Sequence, residues 1–251
     1  MDLKDLQKNW DKLGKTDPFW AILTYPDKRG GKWQTDEFFR TGTTEVASVM
    51  NYVESLGIDI CRRKAMDFGC GVGRLTQALA DYFEEVCGVD IAPSMIELAR
   101  RGNRRGDTCR YYLNHTDDLR IFLDGSVDFI YSNITLQHMQ PGYSKNYIGE
   151  FIRILAPGGL LIFQLPSERI SKFEQLKELI KTLLPSVLVN FLYKVRFGTD
   201  GKMEMYGIKK DELVTFLDKH DVKIIDISED LSAGKKWMGF RYCVLKNEQA
   251  A

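Results

Sequence analysis

The sequence predicts an α/β fold built on one doubly wound, mostly parallel sheet. From about residue 43 to residue 165, short apolar segments alternate with amphipathic helical segments, a pattern that is typical of parallel βαβ units. Two later apolar segments, 222–227 and 237–245, follow each other without a helix between them, which predicts an antiparallel pair at one end of the sheet. The 251 residues are enough for one large domain with its own buried core.

The chain before the first predicted strand contains helices and an irregular segment. Apolar residues recur at spacings of three and four across residues 3–13, which predicts a helix that Gly14 ends. Residues 16–42 are rich in aromatic residues, prolines and glycines, and we expect them to form an irregular lid. The threonines at 43–44 are predicted to cap a helix that ends at Gly57.

Seven short apolar segments are predicted to be strands. They are residues 65–68, 86–89, 110–113, 127–131, 160–165, 222–227 and 237–245. Helices are predicted at residues 73–83, from Pro93 onward, around 148–155 and at 213–217. We therefore expect a single domain in four parts: an N-terminal helix and lid (1–42), a core (43–165), a helical cap insertion (167–206), and a C-terminal helix with edge strands (207–246).

Composition excludes several classes of protein. Lys and Arg total 35 and Asp and Glu total 35, whereas nucleic-acid binders usually carry a basic excess. Five cysteines without a C-x-x-C pair and only three histidines favour neither a disulfide framework nor a metal site. No apolar run reaches the roughly 20 residues of a membrane span, and the start lacks a secretory signal, so we expect a cytoplasmic protein. The apolar stretch 183–197 could contact a membrane surface, but burial within the cap is favoured.

The strongest functional signal is a glycine-rich segment, Asp67-Phe68-Gly69-Cys70-Gly71-Val72-Gly73, between a predicted strand and a predicted helix. Glycines there allow a tight turn and let a ligand approach main-chain N–H groups. A dinucleotide fingerprint requires a small residue at position 74, where this chain has Arg74, so the motif favours a nucleoside without a pyrophosphate. Asp90 ends the second predicted strand, 21 residues after Gly69, where its carboxylate can accept hydrogen bonds from both ribose hydroxyls.

These motifs resemble those of the class I S-adenosylmethionine-dependent methyltransferases, in particular the bacterial small-molecule branch. The resemblance covers about residues 43–165. Its motifs are residues 67–73, Asp90 with Met95, Asp117-Asp118-Leu119, residues 127–132, and Leu155-Ala156-Pro157-Gly158-Gly159. The resemblance implies a Rossmann-like seven-stranded sheet with an antiparallel last strand. It also implies S-adenosylmethionine as the cofactor, at the carboxyl ends of strands one to four.

Cofactor-binding residues follow from the resemblance position by position. Those implied at the methionine and ribose end are Asp67, Gly69, Cys70, Gly71, Gly73, Asp90, Ile91, Ser132 and Asn133. Those implied around the adenine are Met95, Thr116, Asp117, Asp118 and Leu119. The register of the adenine loop stays open, and Asn114 and His115 are also candidates for that contact. Gly42 is expected to lie where related sequences bring an N-terminal segment over the cofactor.

The methyl acceptor is expected to be a small molecule, such as a metabolite or a natural-product intermediate, methylated on oxygen or, as second choice, on nitrogen. His138 follows the fourth strand and is the best candidate for a general base, although it could instead only position its segment. Trp33, Phe38 and Tyr206 are expected to enclose the acceptor together with His138. A non-catalytic nucleotide-binding protein and an NAD(P)-dependent oxidoreductase are the alternatives, and both a monomer and a homodimer are compatible with the sequence.

Overall fold

The described part of the chain, residues 1–171 and 203–248 of the computed structural model, contains one seven-stranded sheet. Its strands are β1 (Lys64–Phe68), β2 (Glu85–Asp90), β3 (Cys109–Leu113), β4 (Val127–Ser132), β5 (Leu155–Arg169), β6 (Val222–Glu229) and β7 (Trp237–Lys246). Their order across the sheet is β3-β2-β1-β4-β5-β7-β6. The strands β1 to β5 are parallel, and β7 pairs antiparallel with both β5 and β6. The predicted fold class is confirmed.

Helices pack on both faces of the sheet. They are α1 (Leu3–Thr16), α2 (Pro18–Ile22), α3 (Thr35–Ser55), α4 (Arg74–Leu79), α5 (Pro93–Arg101), α6 (Pro141–Ile154) and α7 (Lys210–Leu217). Successive residues of a strand point to opposite faces, so Met66 packs with α6 and α7 residues, whereas Ala65 packs with α3, α4 and α5 residues. Burial on both faces explains why the parallel strands read as continuous apolar runs.

The sheet has a switch point between β1 and β4. From β1 the chain proceeds outward through β2 to β3, and from β4 it proceeds outward in the opposite direction to β5. The connections from neighbouring strands therefore leave on opposite sides, which opens a crevice at the carboxyl ends of β1 and β4. Ligands of open α/β sheets bind in such crevices.

Two predicted helix boundaries near the N-terminus are wrong, and both errors come from glycine. α1 continues through Gly14 to Thr16. A Cβ at Gly14 would lie 2.4 Å from Ser94 Oγ, so glycine at this position permits close packing of α1 against α5. α3 begins at Thr35 rather than at residues 43–44. Gly42 therefore lies inside a helix, and a Cβ there would lie 2.4 Å from the carbonyl oxygen of Arg74. In both helices, tertiary packing overrides the low helix propensity of glycine.

Other boundaries differ less. The helix predicted at residues 73–83 is shorter, since α4 ends at Leu79. β5 is longer than the predicted 160–165 because it includes the Pro157-Gly158-Gly159 turn as an irregularity in its pairing with β4. Most of the predicted cap, including the 183–197 stretch, lies outside the described residues. Within the described ranges, no helix is long and apolar enough to cross a membrane.

Candidate functional site

A cavity lies at the carboxyl ends of β1, β2 and β4, where the switch point predicts a ligand site. Eight of the residues expected at the site line it: Gly69, Cys70, Gly71, Asp90, Ile91, Met95, Asn133 and His138. Side chains of α1 and α2 cover it, among them Leu6, Trp10 and Ile22. The sequence motifs and the geometry therefore converge on one site.

The glycine-rich loop forms one wall of the cavity. Gly69, Gly71 and Gly73 have φ angles of 81°, 53° and 83°, which disfavour residues with a side chain. The N–H groups of Gly69 and Cys70 donate to the Val89 carbonyl at 2.8 and 3.0 Å, which ties the loop to β2. A Cβ at Gly71 would lie 2.5 Å from Ile22 Cδ1, so α2 rests directly on the loop. The N–H groups of Gly69, Cys70 and Gly71 are thus bonded within the protein, and the loop borders the cavity with these three residues.

Asp90 is the acidic residue among the described residues that line the cavity. Its two carboxylate oxygens accept hydrogen bonds at 2.8 Å from the N–H groups of Gly71 and Ala92. Burial raises the pKa of Asp90, and these two backbone bonds oppose the rise. Each oxygen retains a second acceptor position, so the carboxylate is held in place and can still answer two hydroxyl donors.

Arg74 is a site residue whose role the sequence analysis missed. It opens α4 directly after the glycine loop, lines the cavity and has 3% of its surface exposed. Its Nη1 donates to Thr41 Oγ1 at 3.3 Å and its Nη2 to Glu45 Oε2 at 2.8 Å. Its Nε has no hydrogen-bond partner within residues 1–171 and 203–248. The position of Arg74 directly after Gly73 could have indicated this role. That position was used above only as an argument against dinucleotide binding.

Asn133 complements Arg74 with an unpaired acceptor. Its Nδ2 donates to Glu45 Oε1 at 2.7 Å, while its Oδ1 is buried without a partner in the described part of the chain. Buried polar atoms are rarely left unsatisfied, and such an atom at a cavity wall suggests a ligand or water partner. Arg74 and Asn133 thus both line the cavity, and each has one buried polar atom without a partner among the described residues.

The loop after β3 contributes Asn114, with Tyr147 of α6 beside it. The Nδ2 of Asn114 donates to the carbonyls of Thr116 and Asp118 at 3.1 and 2.9 Å. Thr116, Asp117 and Asp118 form the turn that holds Asn114 and are not among the lining residues. Leu119 is fully buried in the core. Of the candidates for the adenine contact in this loop, Asn114 is the residue that lines the cavity.

His138 lines the cavity at the end of a short 3₁₀ helix, Leu136–His138. Its Nδ1 lies 2.8 Å from the carbonyl oxygen of Glu204, which only accepts, so Nδ1 carries the proton and Nε2 carries the lone pair. The Nε2 atom is 3.3 Å from Gln137 Nε2, and the Trp10 ring packs edge-on at 5.0 Å. Burial lowers the pKa of His138 to about 4, so the imidazole is neutral at physiological pH.

Several expected cofactor residues do not line the cavity. Asp67 is fully buried and accepts a hydrogen bond from Thr76 at 2.6 Å, and burial raises its pKa to about 7. Ser132 donates to the carbonyl of Phe68 at 3.1 Å. The other residues in this group are Gly42, Gly73, Thr116, Asp117, Asp118 and Leu119. Their roles in binding stay predictions, and the contacts described support the shape of the site.

The residues expected to enclose the acceptor divide into two groups. Trp33 and Phe38 belong to an aromatic cluster with Phe19, in which Phe38 stacks on Phe19 at 4.3 Å, and neither lines the cavity. Tyr206 lies closer, since its N–H donates to the Gln137 carbonyl at 2.7 Å beside His138. Beside His138 the cavity wall is instead provided by α1, whose apolar pattern carried no sign of a site.

The chain is similar in sequence to a protein family and to several characterised proteins. A family model described as a methyltransferase domain matches residues 66–163. A ubiquinone biosynthesis O-methyltransferase from Xanthomonas oryzae pv. oryzae is 26% identical over 183 residues, which cover 71% of this chain and 70% of that protein. A trans-aconitate 2-methyltransferase from Methylobacterium radiotolerans is 34% identical over 106 residues, covering 41% of this chain and 38% of that protein.

The fold has solved counterparts. Magnesium protoporphyrin IX methyltransferase from Synechocystis PCC 6803, solved with bound S-adenosylhomocysteine, superimposes with a TM-score of 0.67 at 16% identity. The match covers 98% of this chain and 100% of that one. At this identity the likeness establishes the fold, which here includes both the N-terminal helices and the antiparallel last strand.

Proposed function

Because the chain belongs to the class I S-adenosylmethionine-dependent methyltransferases, we propose that it transfers a methyl group from this cofactor to a hydroxyl oxygen of a small molecule. The relative in ubiquinone biosynthesis supports an oxygen acceptor, since it is an O-methyltransferase. The trans-aconitate enzyme points to a second class of acceptor, because trans-aconitate carries carboxylates. The two classes differ in that a hydroxyl acceptor gains from a general base, whereas an ionised carboxylate acceptor does not need one.

The observation that carries the proposal is the distribution of polar groups in the cavity. S-adenosylmethionine has two ribose hydroxyls, which donate, and an α-amino carboxylate, which both donates and accepts. Asp90 offers a fixed carboxylate for the hydroxyls. Arg74 offers an unpaired donor for the carboxylate of the cofactor, and Asn133 offers an unpaired acceptor for its amino group. The residues present therefore fit the cofactor both at its ribose and at its α-amino carboxylate.

The adenine ring would lie between the ends of β2 and β3. Ile91 and Met95 supply apolar surface there, and Asn114 supplies an amide whose orientation its turn fixes. Tyr147 closes the far side of this region. A flat, mostly apolar site with one or two oriented polar groups is typical of a pocket for a heteroaromatic ring.

When bound, S-adenosylmethionine supplies a methyl group on a positively charged sulfur, which a nucleophile displaces in line. The protein aligns the acceptor with this methyl group, and alignment alone can remove much of the barrier. Leu6, Trp10 and Ile22 cover the cavity with apolar surface and thereby exclude water, which would compete as an acceptor. This cover assigns α1 and α2 a role in the reaction.

We propose His138 as the general base for a hydroxyl acceptor. The Glu204 carbonyl holds the proton on Nδ1, so the lone pair is on Nε2. Gln137 Nε2 lies 3.3 Å from His138 Nε2 and donates to it, so an acceptor hydroxyl would take the place of that amide. Burial lowers the pKa of His138 to about 4, so the imidazole is neutral at neutral pH but is a weaker base than a free histidine. The assignment therefore depends on its tautomer and on its place in the cavity wall. A carboxylate acceptor is already ionised and would not need this group, so the base favours the hydroxyl class.

The test is transfer of a labelled methyl group from S-adenosylmethionine to a panel of acceptors. The panel pairs phenolic and aliphatic hydroxyl compounds with di- and tricarboxylic acids and with primary amines. We expect transfer to one or more hydroxyl compounds. Transfer only to carboxylic acids would retain the methyltransferase and remove the need for a base, and transfer only to amines would contradict the oxygen assignment.

A further inference from the structure

Glu45 of α3 connects the two polar groups proposed to bind the amino acid end of the cofactor. Its Oε2 accepts from Arg74 Nη2 at 2.8 Å, and its Oε1 accepts from Asn133 Nδ2 at 2.7 Å. The hydroxyl of Tyr131 donates to the same Oε1 at 3.0 Å. One carboxylate thus serves three donors from two segments of the chain, the start of α4 and the end of β4.

The carboxylate decides how its partners are oriented, because it can only accept hydrogen bonds. The amide of Asn133 must turn Nδ2 toward Glu45, which leaves Oδ1 as the unpaired atom. The guanidinium of Arg74 is likewise held through Nη2, which leaves Nε as the unpaired donor within the described residues. Without Glu45, the Asn133 amide could flip and exchange its donor and its acceptor.

Glu45 acts through these partners rather than on a ligand directly. It does not line the cavity, in contrast to Arg74 and Asn133. The ion pair is largely shielded, with 3% of the Arg74 side chain and 23% of the Glu45 side chain exposed. Gly42, one turn earlier on α3, permits the close contact with α4 that brings the two charges together. Removing one partner of such a shielded pair costs more than removing one partner of a surface pair.

We infer that Glu45 is a positioning residue that orients Arg74 and Asn133 to recognise the α-amino carboxylate of the cofactor. The inference rests on the proposed function. It assigns part of the specificity for S-adenosylmethionine to a helix that precedes the glycine-rich motif in the sequence. The expected consequence is selective: loss of Glu45 weakens contacts to the amino acid end of the cofactor and leaves contacts to adenine and ribose unchanged.

The test compares two ligands by calorimetry, S-adenosylhomocysteine and 5′-methylthioadenosine. They share adenine, ribose and a thioether, and only the first has the α-amino carboxylate. In Glu45→Gln we expect the Kd of S-adenosylhomocysteine to rise about tenfold or more. The Kd of 5′-methylthioadenosine should change by less than about twofold. Glu54→Gln is the matched control, because Glu54 is on the same helix and pairs only with the exposed Arg62 among the described residues.

If Glu45→Gln weakened the binding of both ligands equally, the loss would reflect a general loss of structure and the inference would be overturned. An unchanged Kd for both ligands would also overturn it. If the wild-type protein bound neither ligand, the proposed function itself would fail. If Glu45→Gln does not fold, as judged by its melting temperature, Glu45→Asp replaces it. This variant keeps the charge and withdraws the carboxylate by one methylene, so we expect the same selective loss in smaller measure, and equal losses would again overturn the inference.

Discussion

The two halves of the cavity are built in different ways. The half proposed to bind the cofactor, formed by the glycine loop, Asp90, Arg74 and Asn133, is polar and is held by hydrogen bonds to the main chain and to Glu45. The half proposed to bind the acceptor, formed by Trp10, His138 and the other α1 side chains of the lining, is mostly apolar. Its polar group, His138, is oriented by the carbonyl of Glu204, 66 residues away in the sequence.

This difference separates affinity for the cofactor from reactivity toward the acceptor. A change in the cofactor half should alter the Kd of S-adenosylhomocysteine first. A change in the acceptor half should alter turnover and leave that Kd nearly constant. A variant that changed the Kd and the turnover by similar factors would contradict this separation.

The largest effect is expected for His138→Gln. Loss of a general base costs roughly a hundredfold or more in turnover on a hydroxyl acceptor. The Kd of S-adenosylhomocysteine should stay within about twofold of wild type, because no proposed cofactor contact is removed. His220→Gln is the matched control. His220 lies between α7 and β6, and its ring hydrogen-bonds to the Phe216 carbonyl of α7. Near-normal turnover in His138→Gln would reduce His138 to a positioning role.

Asp90→Ala should have the next largest effect, and on affinity. It removes the carboxylate proposed for the ribose and its hydrogen bonds from the N–H groups of Gly71 and Ala92, so the Kd of S-adenosylhomocysteine should rise about 10- to 100-fold. Asp67→Asn is the control, because Asp67 lies behind the loop and its amide could still accept from Thr76. Equal losses of affinity in both variants would show that any disturbance of the loop suffices, which contradicts a direct role for Asp90.

Acid should destabilise the protein through His138. The pKa of this group is lowered from 6.5 to about 4 in the folded chain, so between these values the unfolded chain takes up a proton that the folded chain does not. The free energy of unfolding therefore falls as the pH drops from 6.5 to 4, by on the order of 3 kcal/mol from this group. Urea denaturation of wild type and His138→Gln at pH 7 and pH 4.5 measures the difference.

Asp67 should have the opposite pH dependence. Burial raises its pKa from 3.8 to about 7, so between these values the folded chain keeps a proton that the unfolded chain releases. Its contribution to stability is therefore present at low pH and is lost as the pH rises toward 7. Asp67→Asn should lose more stability than wild type on acidification, and His138→Gln should lose less. If both variants lost more stability than wild type on acidification, or both lost less, one of the two pKa shifts would be contradicted.

The smallest effect is expected for Trp10→Ala. Removing this ring admits water beside His138, so the pKa of the imidazole should rise from about 4 toward 6.5. Turnover should fall several-fold because the cover over the acceptor is opened. Titration of the histidine ring signals by NMR measures the pKa, and with three histidines in the chain the assignment is tractable. An unchanged pKa would mean that α1 does not shield this part of the cavity.

The glycine loop, Asp90 and Asn133 could be placed at the cavity from the sequence because they lie at fixed distances from strand ends, whereas the role of Arg74 was missed. The glycine loop follows β1 and Asp90 ends β2, so a correct reading of the strands places both at one edge of the sheet. Gly42 shows the limit of such reasoning. Its position suggested a cofactor contact, but a glycine that a helix needs for close packing looks the same in the sequence as one that a ligand needs.

The acceptor half could not be predicted because tertiary packing assembles it. The apolar pattern of α1 is equally compatible with a helix that packs only on the core, and nothing local indicates that Trp10 meets His138. Trp33 and Phe38 were assigned to the acceptor on aromatic character alone, yet they pack with Phe19. The role of Glu45 depends on three partners that are between 29 and 88 residues away, which no short motif records.

The central claim is that this cavity binds S-adenosylmethionine, with Asp90 at the ribose. Calorimetric titration of the purified protein with S-adenosylhomocysteine, and with NAD in parallel, tests it most directly. We predict that wild type binds S-adenosylhomocysteine and not NAD, and that Asp90→Ala loses most of this affinity while Asp67→Asn keeps it. Binding of NAD without binding of S-adenosylhomocysteine would contradict the account.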